Sequence, residues 1–389
     1  IRGLIVLLTI LFLYSCGKDD EDIPFVPGYF VSAEPKGSFS LEEVRALVVA
    51  SEDLPSEASL FLKYGVDQYR ITYRTEGVNG ESIVASGALP IPRTDFKMPV
   101  LSFQHGTITN PDDAPGYFQS SYTEIATVFS SVGYIIGLPD YIGYGSTAHL
   151  DHPYEHRSSL ATSTRDMLRA VYEYFKVESL PEPDNKLFLS GYSEGGLATM
   201  ATAKLLQEEH QDEFSITAVT AGAGAYNKSA FADYVVLGTE PLPHMNTFVW
   251  VLDVYNAVYP DLQRSYGTYF NEPWATLIAT EGPQASIESN PSLLFTSDFI
   301  QGIRDRTDVA MWQALADNDC YNWRPEFPMQ LYHGTQEQLV PYFNSATAYE
   351  AMQALAAPEV SLHPIPGGTH ASAVLFYSLG TLSFFQSLR

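Results

Sequence analysis

The sequence predicts an α/β fold whose mostly parallel sheet is covered by helices on both faces. Three observations carry that reading. Short apolar runs that suit buried strands alternate with segments whose apolar residues recur at helical spacing. One strand-to-helix junction, Gly191-Tyr192-Ser193-Glu194-Gly195-Gly196, is rich enough in glycine to be a very tight turn. The alternation stops between about residues 228 and 325 and then resumes, as it would around an insertion into a single sheet.

Taken in order, Ser40-Leu41-Glu42-Glu43 reads as a capping box that opens a helix running through about Ala50. Tyr69–Tyr73 and Ile83–Gly87 read as two strands of a hairpin, with the turn signal at Asn79-Gly80. Pro99–Phe103 is a short apolar strand, and Ile125, Val128, Phe129 and Val132 mark the helix after it. Tyr134–Leu138 is a buried strand, and the spacing of Leu160, Met167, Leu168, Val171 and Phe175 predicts a long helix. Leu187–Leu189 is a strand, Leu197 to Leu205 a helix, and Ile216–Ala221 a strand again. After the break come a strand at Met329–Tyr332, a helix near Ala346–Ala356, a strand at Val360–Leu362 and a terminal helix from Ala371. A sheet of this kind is buried on both faces, so its strands read as continuous apolar runs.

Composition narrows the partners. The 389 residues are 45% hydrophobic and 17% charged, with 46 Asp and Glu against 21 Lys and Arg, a formal net charge of −25. That imbalance argues against nucleic acid, whose phosphates are bound by cations that release counterions. The 25 Tyr and 22 Phe suit apolar or carbohydrate contacts as well as a core. All four Trp fall between residues 228 and 325. An aromatic-rich insertion late in an α/β sheet reads as a cap over an apolar pocket, although any single ring there serves packing first.

At the amino terminus, Arg2 precedes a nearly unbroken apolar run from Gly3 to Leu13, too short to span a bilayer. The run ends in Ser15-Cys16-Gly17, and Lys18-Asp19-Asp20-Glu21-Asp22 follows. This order resembles a bacterial lipoprotein signal, in which the cysteine becomes the lipidated first residue. The resemblance implies a signal peptide over 1–16, lipidation of Cys16, an acidic tether over 17–37, and a place outside the cytoplasm on the outer membrane or cell surface of a Gram-negative bacterium. Cys320 is then without a partner for a disulfide and reads as a small buried hydrophobe.

Chemistry concentrates around Ser193. A strand entering Gly-x-Ser-x-Gly, with a helix leaving it, holds the serine Oγ clear of the sheet at a helix N-terminus, where backbone N–H groups favour developing negative charge. Such a serine needs a base and the base an orienting carboxylate. This strand–turn–helix serine resembles that of the α/β-hydrolases, and the resemblance implies that the acid and then the histidine follow it in the chain. His370, in Pro366-Gly367-Gly368-Thr369-His370, follows a strand and precedes the last helix, and is the candidate base. His333 and His363 lie at a strand end and within a strand and read as structural. Glu337, in the loop His333-Gly334-Thr335-Gln336-Glu337, is the candidate acid, with Asp317 and Asp319 as rivals inside the insertion. The oxyanion is expected to be received by the Glu194 and Thr107 amides, the latter in the loop of Gln104-His105-Gly106-Thr107. His105 is read as bracing that loop.

These motifs, with Asp140-Tyr141-Ile142-Gly143-Tyr144-Gly145 and Val340-Pro341, make the chain similar to the α/β-hydrolases, and more narrowly to the secretory lipases and lipase-A-like esterases, over about residues 66–389. The resemblance implies an α/β-hydrolase fold, with a core formed by 38–227 and 326–389 and a mainly helical cap or lid over 228–325. It implies a serine esterase or lipase with a catalytic triad of Ser193, His370 and Glu337, where Glu stands in place of the more usual Asp. It assigns Asp140 a structural position. No cofactor and no metal are expected. An ester substrate, small or carried on a lipid or polysaccharide, is the expected partner, with membrane contact through the N-terminal lipid. An aminopeptidase of the same fold, or an inactive surface binding protein on a hydrolase scaffold, are the alternatives.

His149, His152 and His156, with Asp151 and Glu155 among them, suggest a metal cluster, but Pro153 interrupts any helix that would align them. They are read as satisfied surface and loop histidines. Ala221-Gly222-Ala223-Gly224-Ala225 lacks the glycine spacing of a phosphate-binding loop.

Overall fold

The structure is a computed structural model and describes residues 25–51 and 56–389. The expected signal, Cys16 and residues 17–24 of the expected tether lie outside the described residues.

Among the described residues, nine strands form one sheet in the order β1-β2-β3-β5-β4-β6-β7-β8-β9. Strand β1 (Phe30–Phe39) leads through the capping box into helix α1 (Leu41–Ala50). The box forms as expected: the Ser40 N–H donates to Glu43 Oε2 at 2.6 Å, and the Glu43 N–H donates to Ser40 Oγ at 3.2 Å. β2 (Val66–Glu76) and β3 (Ser82–Pro92) make the hairpin, with Gly80 at φ +79° in its turn. β4 (Val100–Gln104), α2 (Ser121–Val132), β5 (Ile135–Pro139), α3 (Arg157–Val177), β6 (Leu187–Tyr192), α4 (Glu194–Glu209) and β7 (Ile216–Gly222) follow. From β5 to β9 neighbouring strands run parallel, and β1 to β3 close one side antiparallel. Connections through helices allow the parallel ladder, and helices on both faces bury it.

The tether expected over 17–37 ends earlier. Residues 30–37 pair with β2, and the Gly28, Tyr29 and Phe30 N–H groups all donate to the Glu173 carboxylate on α3 at 2.7–2.9 Å. A polar segment can still be a strand at a sheet edge, because the ladder is a backbone pairing; here the Ser32–Thr72 and Ser38–Asp67 side chains add hydrogen bonds at 2.7 and 2.6 Å.

Six helices stand between β7 and β8: α5 (Lys228–Val236), α6 (Met245–Val258), α7 (Trp274–Glu281), α8 (Pro291–Leu294), α9 (Ser297–Arg304) and α10 (Val309–Asn318). They pack on a core of their own around Phe231, Val249, Tyr269, Phe270, Phe299 and Met311. The insertion closes before residue 325, since Cys320, Trp323 and Phe327 belong to the core beneath the sheet. Then come β8 (Met329–Gly334), α11 (Phe343–Ala354), β9 (Val360–Ile365) and α12 (Ala373–Leu388). One face of the sheet is covered by α3, α4 and α11, the other by α1, α2 and α12. Among the described residues no helix is long and apolar enough to cross a membrane.

Candidate active site

Ser193 sits on the turn between β6 and α4 with φ 61° and ψ −125°. A non-glycine residue adopts such a backbone only where its surroundings impose it. Here the Ser193 N–H donates to the Gly222 carbonyl at 2.9 Å, while the Gly196 and Leu197 N–H groups donate to the Ser193 carbonyl at 2.8 and 3.1 Å. The flanking glycines are required for space. A Cβ on Gly191 would stand 2.2 Å from the Gly195 carbonyl oxygen, and one on Gly195 would stand 2.1 Å from that of Gln104.

Strand ends and the loops after them bring the other candidates to this point. Glu337 is on the loop after β8 and His370 on the loop between β9 and α12. His370 Nε2 lies 2.9 Å from Ser193 Oγ, and His370 Nδ1 lies 2.6 Å from Glu337 Oε2. With its proton on Nδ1, the imidazole donates to Glu337 and leaves Nε2 to accept the serine proton. The Glu337 side chain is fully buried. Its second oxygen accepts from the Leu339 and Val340 N–H groups at 2.7 and 3.3 Å. Burial alone would raise its pKa, but His370 and these amides outweigh it and hold the carboxyl below the ordinary range. The Tyr192 hydroxyl donates to the His370 carbonyl at 2.9 Å and fixes the loop from the other side.

The Gly106-Thr107 loop passes beside the serine: a Cβ built on Gly106 would lie 3.6 Å from Ser193 Cβ. Neither the Thr107 nor the Glu194 amide donates to a protein acceptor among the described residues. Glu194 opens a 16-residue helix, so its amide carries the positive end of that helix. His105, fully buried, has Nδ1 2.7 Å from the Gly106 carbonyl, and burial draws its pKa down. It braces the loop. The Asp140 carboxylate accepts from the Ser86 hydroxyl at 2.5 Å and the Gly116 N–H at 2.6 Å, away from the triad candidates.

The rival acids are engaged elsewhere. Asp317 Oδ2 accepts from the Tyr259 hydroxyl at 2.5 Å, and Asp319 accepts from the Ser229 N–H and hydroxyl at 3.1 and 2.7 Å. His333 is buried, with Nδ1 2.7 Å from Ser345 Oγ and Nε2 2.7 Å from the Val340 carbonyl.

Of the three clustered histidines, only His149 is exposed; His152 and His156 lie on loops and are hydrogen-bonded as expected, but they are buried, which corrects the surface part of their reading. His156 has Nδ1 3.1 Å from Ser159 Oγ, and burial lowers its pKa to about 4. His152 stands under the nucleophile turn. Its Nδ1 lies 2.7 Å from the Ile142 carbonyl and its Nε2 2.7 Å from Glu194 Oε1. Glu194 is fully buried, and its Oε2 has no partner among the described residues. The residue after the serine therefore has a side chain anchored by His152, and no spacing in the sequence links positions 152 and 194. Among the described residues no three His, Cys, Asp or Glu side chains converge as a metal site would require.

Ser193 opens on a pocket of about 750 Å³, mouth included, that runs into the insertion between α5, α6, α9 and α10. Its wall is almost entirely hydrocarbon and aromatic: Phe231, Val235, Phe248, Val251, Phe299, Ile303 and Leu315 among others. The charged exceptions are Glu155 and Lys228, the Lys228 ammonium donating to Glu155 Oε2. Sequence reasoning missed this pair as well, because 73 residues separate its members.

The sequence model of the secretory lipase family matches residues 117–375. Lipase A of Moesziomyces aphidis is 23% identical over 389 residues, covering 93% of this chain and 79% of that protein. Among solved structures, a protein of Legionella pneumophila superposes with a TM-score of 0.82 at 26% identity, over 92% of this chain and 98% of that one. The rice cell wall degrading esterase LipA of Xanthomonas oryzae superposes with a TM-score of 0.76 at 24% identity, over 92% and 99%.

Proposed function

The chain belongs to the secretory lipase family, and from that premise we propose that it hydrolyses esters through Ser193, His370 and Glu337 by way of an acyl-enzyme. The family carries the α/β-hydrolase fold and the activity of a carboxylic ester hydrolase; the machinery is the proposal. Ser193 Oγ attacks the ester carbonyl and passes its proton to His370 Nε2, while Glu337 orients the imidazole and stabilises its charged form. The Glu194 and Thr107 amides receive the oxyanion. The C–O bond to the alcohol breaks, His370 protonates the leaving oxygen, and water then attacks the acyl-enzyme with the same histidine as base. Residues 228–318 act as a cap whose pocket takes the acyl group.

One observation carries this reading: the connected chain from Glu337 to His370 to Ser193, at 2.6 and 2.9 Å, ends at the mouth of an apolar pocket. An aminopeptidase would need a free carboxylate there for the peptide amine, and Glu155 is already matched by Lys228. Ser193→Ala should lower kcat on p-nitrophenyl esters by on the order of 10⁴–10⁶ with the thermal midpoint unchanged, and abolish fluorophosphonate labelling. Full activity in that variant would refute the assignment. The same esters from two to sixteen carbons rank acyl length.

A secretory family points to action outside the cytoplasm. Attachment to a Gram-negative outer membrane or cell surface through a lipid on Cys16 is the finer proposal, supported by the order of charge, apolar run and cysteine at residues 2–16. Palmitate labelling of the full chain that survives Cys16→Ser would sink it.

A further inference from the structure

Two wall residues of the otherwise hydrocarbon pocket carry opposite charge and are almost wholly buried: Glu155 is 5% exposed and Lys228 3%. Both are held in place by backbone. Glu155 takes the left-handed conformation at φ 53°, and its carbonyl accepts from the Tyr255 hydroxyl at 3.3 Å. Lys228 is the first residue of α5, whose N-cap Asn227 accepts from the Ala230 N–H at 2.9 Å.

The pair shares its pocket with Ser193 and adjoins the candidate oxyanion loop. Tyr154, next to Glu155 in the chain, is 3.0 Å through its hydroxyl from Thr107 Oγ1 in the candidate oxyanion loop. The Glu155 carboxyl also feels the charges of Lys228, Glu194 and His370, on top of a burial that raises its pKa. Glu155 and Lys228 line the same pocket as Ser193, so a polar group against the pair shares that pocket with an ester held at the serine.

The pair does not exhaust its own hydrogen bonding. An ammonium has three N–H donors, and among the described residues only Glu155 Oε2 accepts one of them. Glu155 Oε1 accepts from none of the described residues. A pocket that served hydrocarbon alone would be better without two buried ions, which give up hydration that their attraction only partly returns.

We infer that Glu155 and Lys228 form a polar subsite for an oxygen on the acyl chain near the ester carbonyl, so that esters of short hydroxy acids are preferred substrates. The hydroxyl would accept from Lys228 Nζ and donate to Glu155 Oε1. This rests on Ser193 as nucleophile and on the pocket as the acyl site.

The test compares ethyl 3-hydroxybutanoate with ethyl butanoate on the full enzyme, following acid release. The expected ratio of kcat/KM is about ten or more in favour of the hydroxy ester, the range for a hydrogen bond to a charged group. In the double variant Glu155→Met, Lys228→Met the ratio should fall to about one, whatever the absolute rates, because an unsubstituted chain then meets an equally apolar wall. A wild-type ratio of one or less, or a ratio unchanged in the double variant, overturns the subsite. Should the double variant fail to fold, the wild-type ratio decides alone. Failure of the underlying reading looks different: neither ester is cleaved, or Ser193→Ala cleaves both at the wild-type rate.

Discussion

Glu337→Gln tests the acid assignment at the point where the structure is most specific. The carboxylate is buried and has both oxygens in use, one against His370 Nδ1 at 2.6 Å and one taking the Leu339 and Val340 N–H groups at 2.7 and 3.3 Å. Glutamine has the same volume and can keep the amide bonds through its carbonyl oxygen. Its NH₂ would then face Nδ1 and force that nitrogen to accept. The imidazole proton moves to Nε2, which can no longer take the proton from Ser193. The loss in kcat is therefore on the order of 10⁴, the size seen when a triad carboxylate becomes an amide elsewhere. Glu337→Asp keeps the charge but draws back by about one methylene, and a misplacement of about 1 Å costs on the order of 10². Steady-state kinetics on a short p-nitrophenyl ester measures both, with Asp319→Asn as control near the wild-type rate. Glu337 also makes a stability prediction. Its pKa is held below the ordinary range, so it contributes stability that is fully present above the ordinary value near 4.5 and is lost as pH falls through the lowered one. The glutamine variant should show a shallower loss of stability in that acid limb. Near-normal turnover in Glu337→Gln with a crippled Asp319→Asn would refute the reasoning and move the acid into the insertion.

Three further outcomes follow from the packing. Ala232 lines the pocket, so Ala232→Trp should cut the rate on a dodecanoyl ester at least about tenfold relative to the acetyl ester; equal loss on both would mean that the acyl chain lies elsewhere. His152→Ala leaves the buried Glu194 carboxyl without a partner on either oxygen, and should lower stability by about 2–5 kcal/mol in urea titrations. A change under 0.5 kcal/mol would show that the pair carries no such burden. His156 and His333 are both drawn by burial from 6.5 to about 4, and a depressed histidine costs stability as pH falls from the unfolded value to the folded one, up to about 3 kcal/mol each. The urea midpoint should therefore drop between pH 7 and 4, and His156→Gln should reduce the drop; an unchanged slope would contradict it.

Local chemistry made much of this protein legible. A strand entering Gly191-Tyr192-Ser193-Glu194-Gly195-Gly196 can turn only because those glycines carry no Cβ, and that requirement is written in adjacent residues. The capping box at Ser40 and the turn at Gly80 are equally local. Apolar periodicity likewise marked the strands and helices of the sheet, because burial on both faces leaves a continuous signal. The edge strand β1 escaped, since a polar segment shows no such signal and its ladder with β2 is a backbone pairing.

The candidate site divides in the same way. The residue types and chain order of Ser193, Glu337 and His370 could be read, but their approach to 2.6 and 2.9 Å is a product of three loops meeting at the ends of the strands. The fold alone paired His152 with Glu194 and Glu155 with Lys228, at separations of 42 and 73 residues. Isolated charged or imidazole residues carry no mark of burial in a sequence. Only the tertiary structure withdraws water from them, and that withdrawal makes each depend on its partner.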